Sequence, residues 1–436
     1  MDKIRIHGGH PLSGSIKISG SKNSALPILA STLLTREPCA IRRVPDLSDT
    51  HYMLQILKHL GAEVERASGT VTVAAVKIDS IAPYDVVRKM RASVCVIGPL
   101  LGRCKEATVS LPGGCVIGDR PIDLHLKGFE ALGSAVRVEG GNIKVFAPKL
   151  KGAVINLRGK FGPTVLGTDN VMMAAALAEG TTVVEGAAQE PEVVDLANFL
   201  NKMGAKIEGA GTRRIIIEGV KELHGAEHDI IPDRIEAGTF LVAGAISGGD
   251  LVVANCQPAH LSALVTKLEA CGVRITPMGT DSLRVRSEGN LQANDISTEE
   301  YPGFPTDMQA QYMALATQAE GTATVKENIF ENRFMHVGEL VRMGANIKVD
   351  GRTATVRGKT PLSSAVVMCS DLRASASLVI AALVADGESI LDRVYHIDRG
   401  YERIEEKLRG VGAQIRRMGD LFASGKREVA MEAQIS

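Results

Sequence analysis

The residues best suited to chemistry fall in LPGGCVIGDRPIDLH, at 111–125. Cys115 follows Gly113 and Gly114 and precedes Gly118, so its backbone has conformations open to it that other residues close off. Arg120 stands five residues on; a guanidinium folded back over the thiol would lower its pKa. Most free cysteines are small buried hydrophobes. Cys95, Cys256, Cys271 and Cys369 fit that description among apolar neighbours, whereas Cys115 does not. ISGSKNSALP sets Lys22 and Asn23 after a Gly-Ser turn, and YPGFPTDMQAQ sets Asp307 on a Pro-bracketed turn, where a carboxylate can act as a general base. ENRFMHVGEL and VYHIDRGYERIEEKL carry Arg333 and Arg399 on turns that enter amphipathic segments. There is no GxxxxGK[ST] element, no GxGxxG element and no His/Cys/Asp cluster with metal-ligand spacing, so neither a nucleotide or dinucleotide cofactor motif nor a metal is expected.

The elements that must position these residues repeat. An apolar residue, Gly, a small residue, any residue, then Val or Ile reads LGAEV at Gly61, LGSAV at Gly133, MGAKI at Gly204, CGVRI at Gly272, MGANI at Gly344 and VGAQI at Gly412. The intervals are 72, 71, 68, 72 and 68 residues, which makes six copies of one unit. Each signature ends an amphipathic helix, as in HYMLQILKHLG, where Met53, Leu54, Leu57 and Leu60 share a face. The Gly is placed for a left-handed C-cap, and the Val or Ile begins a strand. About 40 residues earlier each unit has a helix rich in Ala, Ser and Gly and apolar nearly all round, which reads as buried. The coarse unit is β-α-β-α-β.

Charges gather where the buried helices start: Lys22, Arg91, Asp233–Arg234, Asp307 and Asp371–Arg373, with Thr168–Asp169 in the remaining one. The acidic residues alone could be N-caps, as expected for Asp233 and Asp169. Cations are unfavourable at a positive helix end, so Lys22, Arg91 and Arg373 need another reason, which an anionic ligand supplies. Lys22, Arg91, Arg120, Arg373 and Arg399 are read as occupying equivalent places in different repeats, an arrangement suited to several phosphate or carboxylate groups.

Composition bounds these readings. The chain has 436 residues, 50 Lys+Arg against 50 Asp+Glu, 45 Gly, no Trp and 3% aromatics. Zero net charge and few aromatics argue against nucleic-acid binding. The charged start is no secretory signal. The longest apolar runs fall short of the roughly 20 residues that span a bilayer. Seven cysteines without CxxC spacing place the chain in a reducing cytoplasm. The end of the chain has no clear periodicity, and 421–436 is read as a frayed tail.

The motifs SGSKNSALP, RASVCVIGPL, PGGCVIGDRPIDLH, EPEVVDLANFL, PDRIEAGTF, YPGFPTDMQAQ, ENRFMHVGEL, DLRASASLVIA and YHIDRGYERIEEKL closely resemble those of the bacterial UDP-N-acetylglucosamine 1-carboxyvinyltransferases, over about residues 1–418. The resemblance implies two inside-out α/β barrel domains of three repeats each, at 22–231 (with the Cys115 loop) and at 1–21 plus 232–420. It implies transfer of the enolpyruvyl group of phosphoenolpyruvate to the 3′-hydroxyl of UDP-N-acetylglucosamine, without a cofactor. By matching motifs, Cys115 is the general acid and covalent thiol, and Asp307 the general base. Asp371 assists proton movement, and Lys22, Arg120 and Arg399, helped by Arg91 and Arg373, hold phosphoenolpyruvate. Asn23, Arg120, Pro121, Ile122, Asp123, Leu124, Lys160 and Ile329 match positions lining the nucleotide-sugar site, and Arg333 is counted with the substrate-binding residues. The resemblance also implies closure of the Cys115 loop over a reactive intermediate.

One stretch departs from the family. KFGPTVLGTDNVMM, 160–173, is about two residues longer than the usual Lys-x-Ser-Val-Gly-Ala pattern. Two rival readings remain. A 5-enolpyruvylshikimate-3-phosphate synthase shares the chemistry but lacks the Cys loop. A non-catalytic βα-repeat scaffold or RNA-end-binding protein has no need of Lys22, Cys115 and Asp307 on Gly- or Pro-bracketed turns. Nothing in the sequence sets the oligomeric state.

Overall fold

The computed structural model describes residues 2–111 and 122–419. Cys115, Arg120, Pro121 and the 421–436 tail lie outside the described residues. The chain divides into two units: one of Ser19–Asp233 with Glu300–Gly303, the other of Met1–Ile18, Arg234–Glu299 and Phe304–Ser436. Each has its own hydrophobic core.

In the Ser19–Asp233 unit, three helical segments are buried almost throughout: Lys22–Ser31, Val165–Ala175, and Ile97–Cys104, which is entered through the 3-10 turn Arg91–Val96. The other unit has the same set in Arg234–Ile246, Gln309–Ala316 and Leu372–Ala382. Within each unit the three pack on one another. Small residues let them approach: a Cβ on Gly98 would stand 2.3 Å from the Asn170 carbonyl oxygen, so only Gly fits there. The absence of Trp suits such packing, and five of the large aromatics (Phe129, Phe199, Phe240, Tyr312, Tyr401) are fully buried.

The amphipathic helices Ser48–His59, Asp123–Ala131, Pro191–Lys202, Ser262–Ala270, Val337–Arg342 and Ile404–Arg409 precede the six signature glycines. Those glycines have φ of +94°, +92°, +100°, +87°, +99° and +101° in chain order. In all six the Gly N–H bonds the carbonyl three residues back, and the next N–H bonds the one five back. Examples are Gly61 to Lys58 and Ala62 to Leu57, both at 3.0 Å. That is a Schellman cap in every repeat.

Six four-stranded sheets share one pattern: a first strand parallel to the second, then two antiparallel neighbours. Ile81–Ala82, Glu106–Ser110, Asn142–Phe146 and Ala135–Glu139 stand in that order. The sequence reading ended five of the six units one strand early. In five repeats the strand after the Gly cap turns back as a hairpin, through positive-φ glycines such as Gly69, Gly140, Gly209, Gly279 and Gly351. In the sixth, Lys3–His7 fills that slot between Glu388–Asp392 and Gln414–Met418. The first strands are exchanged at the crossings. Ser13–Lys17 precedes helix Lys22–Ser31 but pairs with Asp250–Ala254, while Glu227–Asp229 precedes helix Arg234–Ile246 but pairs with Cys39–Arg42. Among the described residues no helix is long and apolar enough to cross a membrane.

The caps give a signed test. Gly344 has φ +99° and no backbone closer than 3.4 Å to an added Cβ, whereas the exposed Gly338 has ordinary φ and open space. Gly344→Ala is expected to lose about 1 kcal/mol through backbone strain, and Gly338→Ala to gain a similar amount through helix propensity. Thermal melting that moves in the same direction for both variants would contradict the caps.

Candidate active site

In the Ser19–Asp233 unit, Lys22, Asn23 and Arg91 stand at the starts of buried helical segments. Ser21 caps helix Lys22–Ser31 by accepting from the Ser24 N–H, as an N-cap hydroxyl should. The Lys22 N–H donates to Asp233 Oδ2 at 3.1 Å, and its Nζ donates to the buried Asp49 at 3.0 Å. One turn in, Ser24 Oγ donates to Asp195, whose other oxygen lies 2.8 Å from His228 Nε2. The cation at this positive helix end thus has carboxylate partners even before any ligand arrives. Asn23 beside it is partly exposed. Arg91 is the first residue of its 3-10 turn, and Asp123 opens helix Asp123–Ala131 directly after Ile122, with Leu124 next. Lys160 is exposed in the two-residue turn of the hairpin Arg158–Gly159 and Gly162–Pro163, its Nζ 5.2 Å from the Phe161 ring. Glu300 anchors this hairpin, accepting from Arg158 Nη2 at 2.9 Å and Arg213 Nη2 at 3.3 Å.

The departing 160–173 stretch corrects one expectation. The buried helix starts at Val165, not at Thr168–Asp169, because Thr164 takes the cap and accepts from the Gly167 N–H at 3.1 Å. Asp169 is therefore not an N-cap. It is buried within the helix, and burial, with Glu190 and Glu192 nearby, holds its carboxyl pKa well above the usual range.

In the other unit the centre is Asp307, in the 3-10 turn Thr306–Met308 that leads into helix Gln309–Ala316. The nearly buried Arg333 reaches Asp307 Oδ1 at 2.6 Å, and the nearly buried Arg373 reaches Oδ2 at 3.0 Å. Arg373 also donates to Tyr401 Oη at 3.3 Å, and that hydroxyl lies 2.9 Å from Thr239 Oγ1 and 3.2 Å from Gln311 Nε2. Asp371 is an N-cap: its Oδ1 accepts from the N–H groups of Arg373 and Ala374 at 2.9 and 3.0 Å. Its carboxylate thus has a structural task in the same turn as Arg373. Arg399 closes the 3-10 turn Val394–Arg399. The cations therefore do not share one place. Lys22, Arg91 and Arg373 belong to the first turns of buried helical segments, whereas Arg333 and Arg399 stand before the amphipathic helices Val337–Arg342 and Ile404–Arg409.

Sequence reasoning missed Glu327. This buried carboxylate accepts from Thr298 Oγ1 at 2.8 Å, Thr306 Oγ1 at 2.9 Å and the N–H groups of Ile329 and Phe330 at 2.9 and 3.1 Å. Thr306 Oγ1 in turn accepts from Arg333 Nη1 at 2.9 Å. Glu327 thereby holds Ile329 and, through Thr306, both Asp307 and its arginine. The signal in the sequence was a carboxylate directly after the strand-like alternation TATVK, two residues before Ile329. Of the described cysteines, Cys39, Cys95, Cys256, Cys271 and Cys369 are buried. Burial pushes the Cys256 and Cys369 thiols up to about 11, which makes them poor nucleophiles. Among the described residues no group of His, Cys, Asp and Glu is arranged to hold a metal ion.

Glu327→Gln can keep an acceptor toward Thr298, Ile329 and Phe330 but then sets an NH2 group against the Thr306 hydroxyl, and it removes the charge that these donors face. It is expected to lower stability by about 1–3 kcal/mol, read as a lower melting temperature; an unchanged melt would remove Glu327 from this role.

Residues 6–408 match the family model described as EPSP synthase (3-phosphoshikimate 1-carboxyvinyltransferase). A UDP-N-acetylglucosamine 1-carboxyvinyltransferase of Acidobacterium capsulatum is 63% identical over 99% of both chains, and one of Koribacter versatilis is 60% identical over 99% of this chain and 100% of the other. Among solved structures, the enolpyruvyl transferase NikO from Streptomyces tendae superposes with a TM-score of 0.86 at 27% identity, covering 96% of this chain and 99% of its own. An EPSP synthase from Acinetobacter baumannii, at 17% identity and a TM-score of 0.73 over 96% of this chain and all of its own, shares the mixed α/β fold. The repeats, the charged helix starts and these full-length likenesses agree: the chain belongs to the EPSP synthase family of enolpyruvyl transferases and, within it, to the UDP-N-acetylglucosamine 1-carboxyvinyltransferases.

Proposed function

We propose that this chain transfers the enolpyruvyl group of phosphoenolpyruvate to the 3′-hydroxyl of UDP-N-acetylglucosamine and releases phosphate, the first committed step of bacterial peptidoglycan synthesis. What carries the reading is the identity of 63% and 60%, over essentially the whole chain, to relatives bearing the name of that activity. We place the reaction in the cytoplasm and read the two units as inside-out barrels, at 22–231 and at 1–21 plus 232–420. The three mutually packed buried helices and three sheets of each unit support that architecture.

The reaction adds the 3′-oxygen to C2 of phosphoenolpyruvate while C3 takes a proton. The adduct then loses a proton from C3 and phosphate from C2, which restores the double bond. In this scheme Asp307 takes the hydroxyl proton, Cys115 delivers the proton to C3 and can bond covalently to phosphoenolpyruvate, and Asp371 assists proton movement at that carbon. Lys22, Arg120 and Arg399, with Arg91 and Arg373, hold the phosphate and carboxylate; cations fixed there stabilise charge developing on the leaving group. Asn23, Arg120, Pro121, Ile122, Asp123, Leu124, Lys160 and Ile329 line the nucleotide sugar, and Arg333 orients Asp307. The guanidinium groups already set about Asp307 favour its role, because an oriented base needs no reorganisation when substrate arrives.

Phosphate release from phosphoenolpyruvate is expected with UDP-N-acetylglucosamine and not with shikimate-3-phosphate; the reverse preference would favour the sister enzyme, and release with neither a scaffold. Asp307→Ala is expected to retain nucleotide-sugar binding in calorimetry while turnover falls by about 10²-fold or more; turnover near wild type would remove Asp307 from the mechanism. Cys115→Asp is expected to keep turnover and to escape fosfomycin, an epoxide expected to alkylate the thiol of the wild-type chain. Continued inhibition of that variant would show that the thiol is not the target.

A further inference from the structure

Asn170 lies fully buried in helix Val165–Ala175, in the stretch that departs from the family pattern. Its Oδ1 accepts from the Gly98 N–H at 2.9 Å, and its Nδ2 donates to the Val94 carbonyl at 3.0 Å. A backbone N–H cannot accept and a carbonyl cannot donate, so these two partners fix which way the amide points. Nδ2 also stands 2.9 Å from His125 Nδ1. With the amide direction fixed, that ring nitrogen must be the acceptor, and the His125 proton sits on Nε2. The ring is buried, and burial with the nearby Arg91 charge pushes its pKa down to about 4, in keeping with a neutral imidazole.

The three partners belong to segments with distinct tasks in the reading above. Val94 and Gly98 lie in the run that Arg91 opens and that continues as helix Ile97–Cys104. His125 follows directly on Ile122–Leu124. The Gly98 backbone can approach Asn170 only because it has no Cβ. We infer that Asn170 is a positioning residue for the transfer: its one side-chain amide sets the Arg91 segment and the Ile122–Leu124 segment against each other. This rests on the proposed substrate contacts of those two segments.

Asn170→Asp keeps the shape and turns the Nδ2 donor into an acceptor facing the Val94 carbonyl and His125 Nδ1. In 15N spectra at neutral pH, the wild-type His125 should carry its proton on Nε2 alone, and the variant should protonate Nδ1. The Kd for UDP-N-acetylglucosamine by calorimetry and the KM for phosphoenolpyruvate should each rise about tenfold or more, as for loss of a buried hydrogen-bond donor. His125→Leu leaves the bonds to Val94 and Gly98 in place, so it should weaken the nucleotide sugar several-fold and leave the KM for phosphoenolpyruvate within about twofold. A wild-type ring protonated on Nδ1 would overturn the inference, as would an Asn170→Asp protein with both constants within twofold of wild type. Should Asn170→Asp fail to fold, His125→Leu decides: equal losses for both substrates, or none, would sink it. A wild-type chain that releases no phosphate counts against the proposed function, while the ring spectrum and the calorimetric Kd still decide the role of Asn170.

Discussion

A helix buried on every side has only its ends left for polar chemistry. Along Lys22–Ser31, Arg234–Ile246 or Leu372–Ala382, nearly every side chain must be apolar or small to pack against the neighbouring buried helices. Unsatisfied N–H groups at the helix start require polar partners there. The charged groups of this protein accordingly gather at first turns: Lys22 with Asp233, Arg91, Asp307 just before Gln309, and Asp371 with Arg373. This packing rule places the charges of these four of the six buried segments, while Asp169 and Asn170 show that a polar side chain can still be held within such a helix, Asn170 by its bonds to Gly98 and Val94.

Charges so placed are costly to bury alone, and the fold gives them partners in advance. Lys22 has Asp49; Arg333 and Arg373 share Asp307; Lys407 has the buried Glu236 at 2.6 Å. In the proposed reaction a substrate anion would meet groups that are already oriented and neutralised, so its binding would exchange partners rather than capture bare cations.

Much of this was legible in the sequence because its cause is local. A left-handed residue after a helix is most easily Gly, so the six caps showed at Gly61 to Gly412 as a spacing. A helix without a polar face shows in its composition. The hairpin strands were missed although their turns carry glycines such as Gly69, Gly140 and Gly351, because the repeat signature stops at the first strand and the partner of the second is set by sheet register. The resemblance put Lys3–His7 in the right unit, but its slot in a sheet could not be read, since both its neighbours lie near the other end of the sequence. Thr164 displaced Asp169 as cap because several hydroxyls and carboxylates nearby were equally able to serve. Glu327 was invisible for a different reason. Its importance lies in Thr298, Thr306, Ile329 and Phe330 converging on one carboxylate, and convergence is a property of space.

The strand exchange has a consequence for synthesis on the ribosome. The Ser19–Asp233 unit has every strand of its three sheets once Glu227–Asp229 has emerged, so its core can close while the rest of the chain is still being made. The other unit cannot. Lys3–His7 and Ser13–Lys17 leave the ribosome first, yet the partners that fix them are Asp250–Ala254, Glu388–Asp392 and Gln414–Met418. Its last sheet joins the earliest and latest strands of the chain, a pairing of very high contact order and hence slow to form. The first residues made are thus among the last to be secured, and they wait as unpaired strand edges that a nascent chain must keep from other partners.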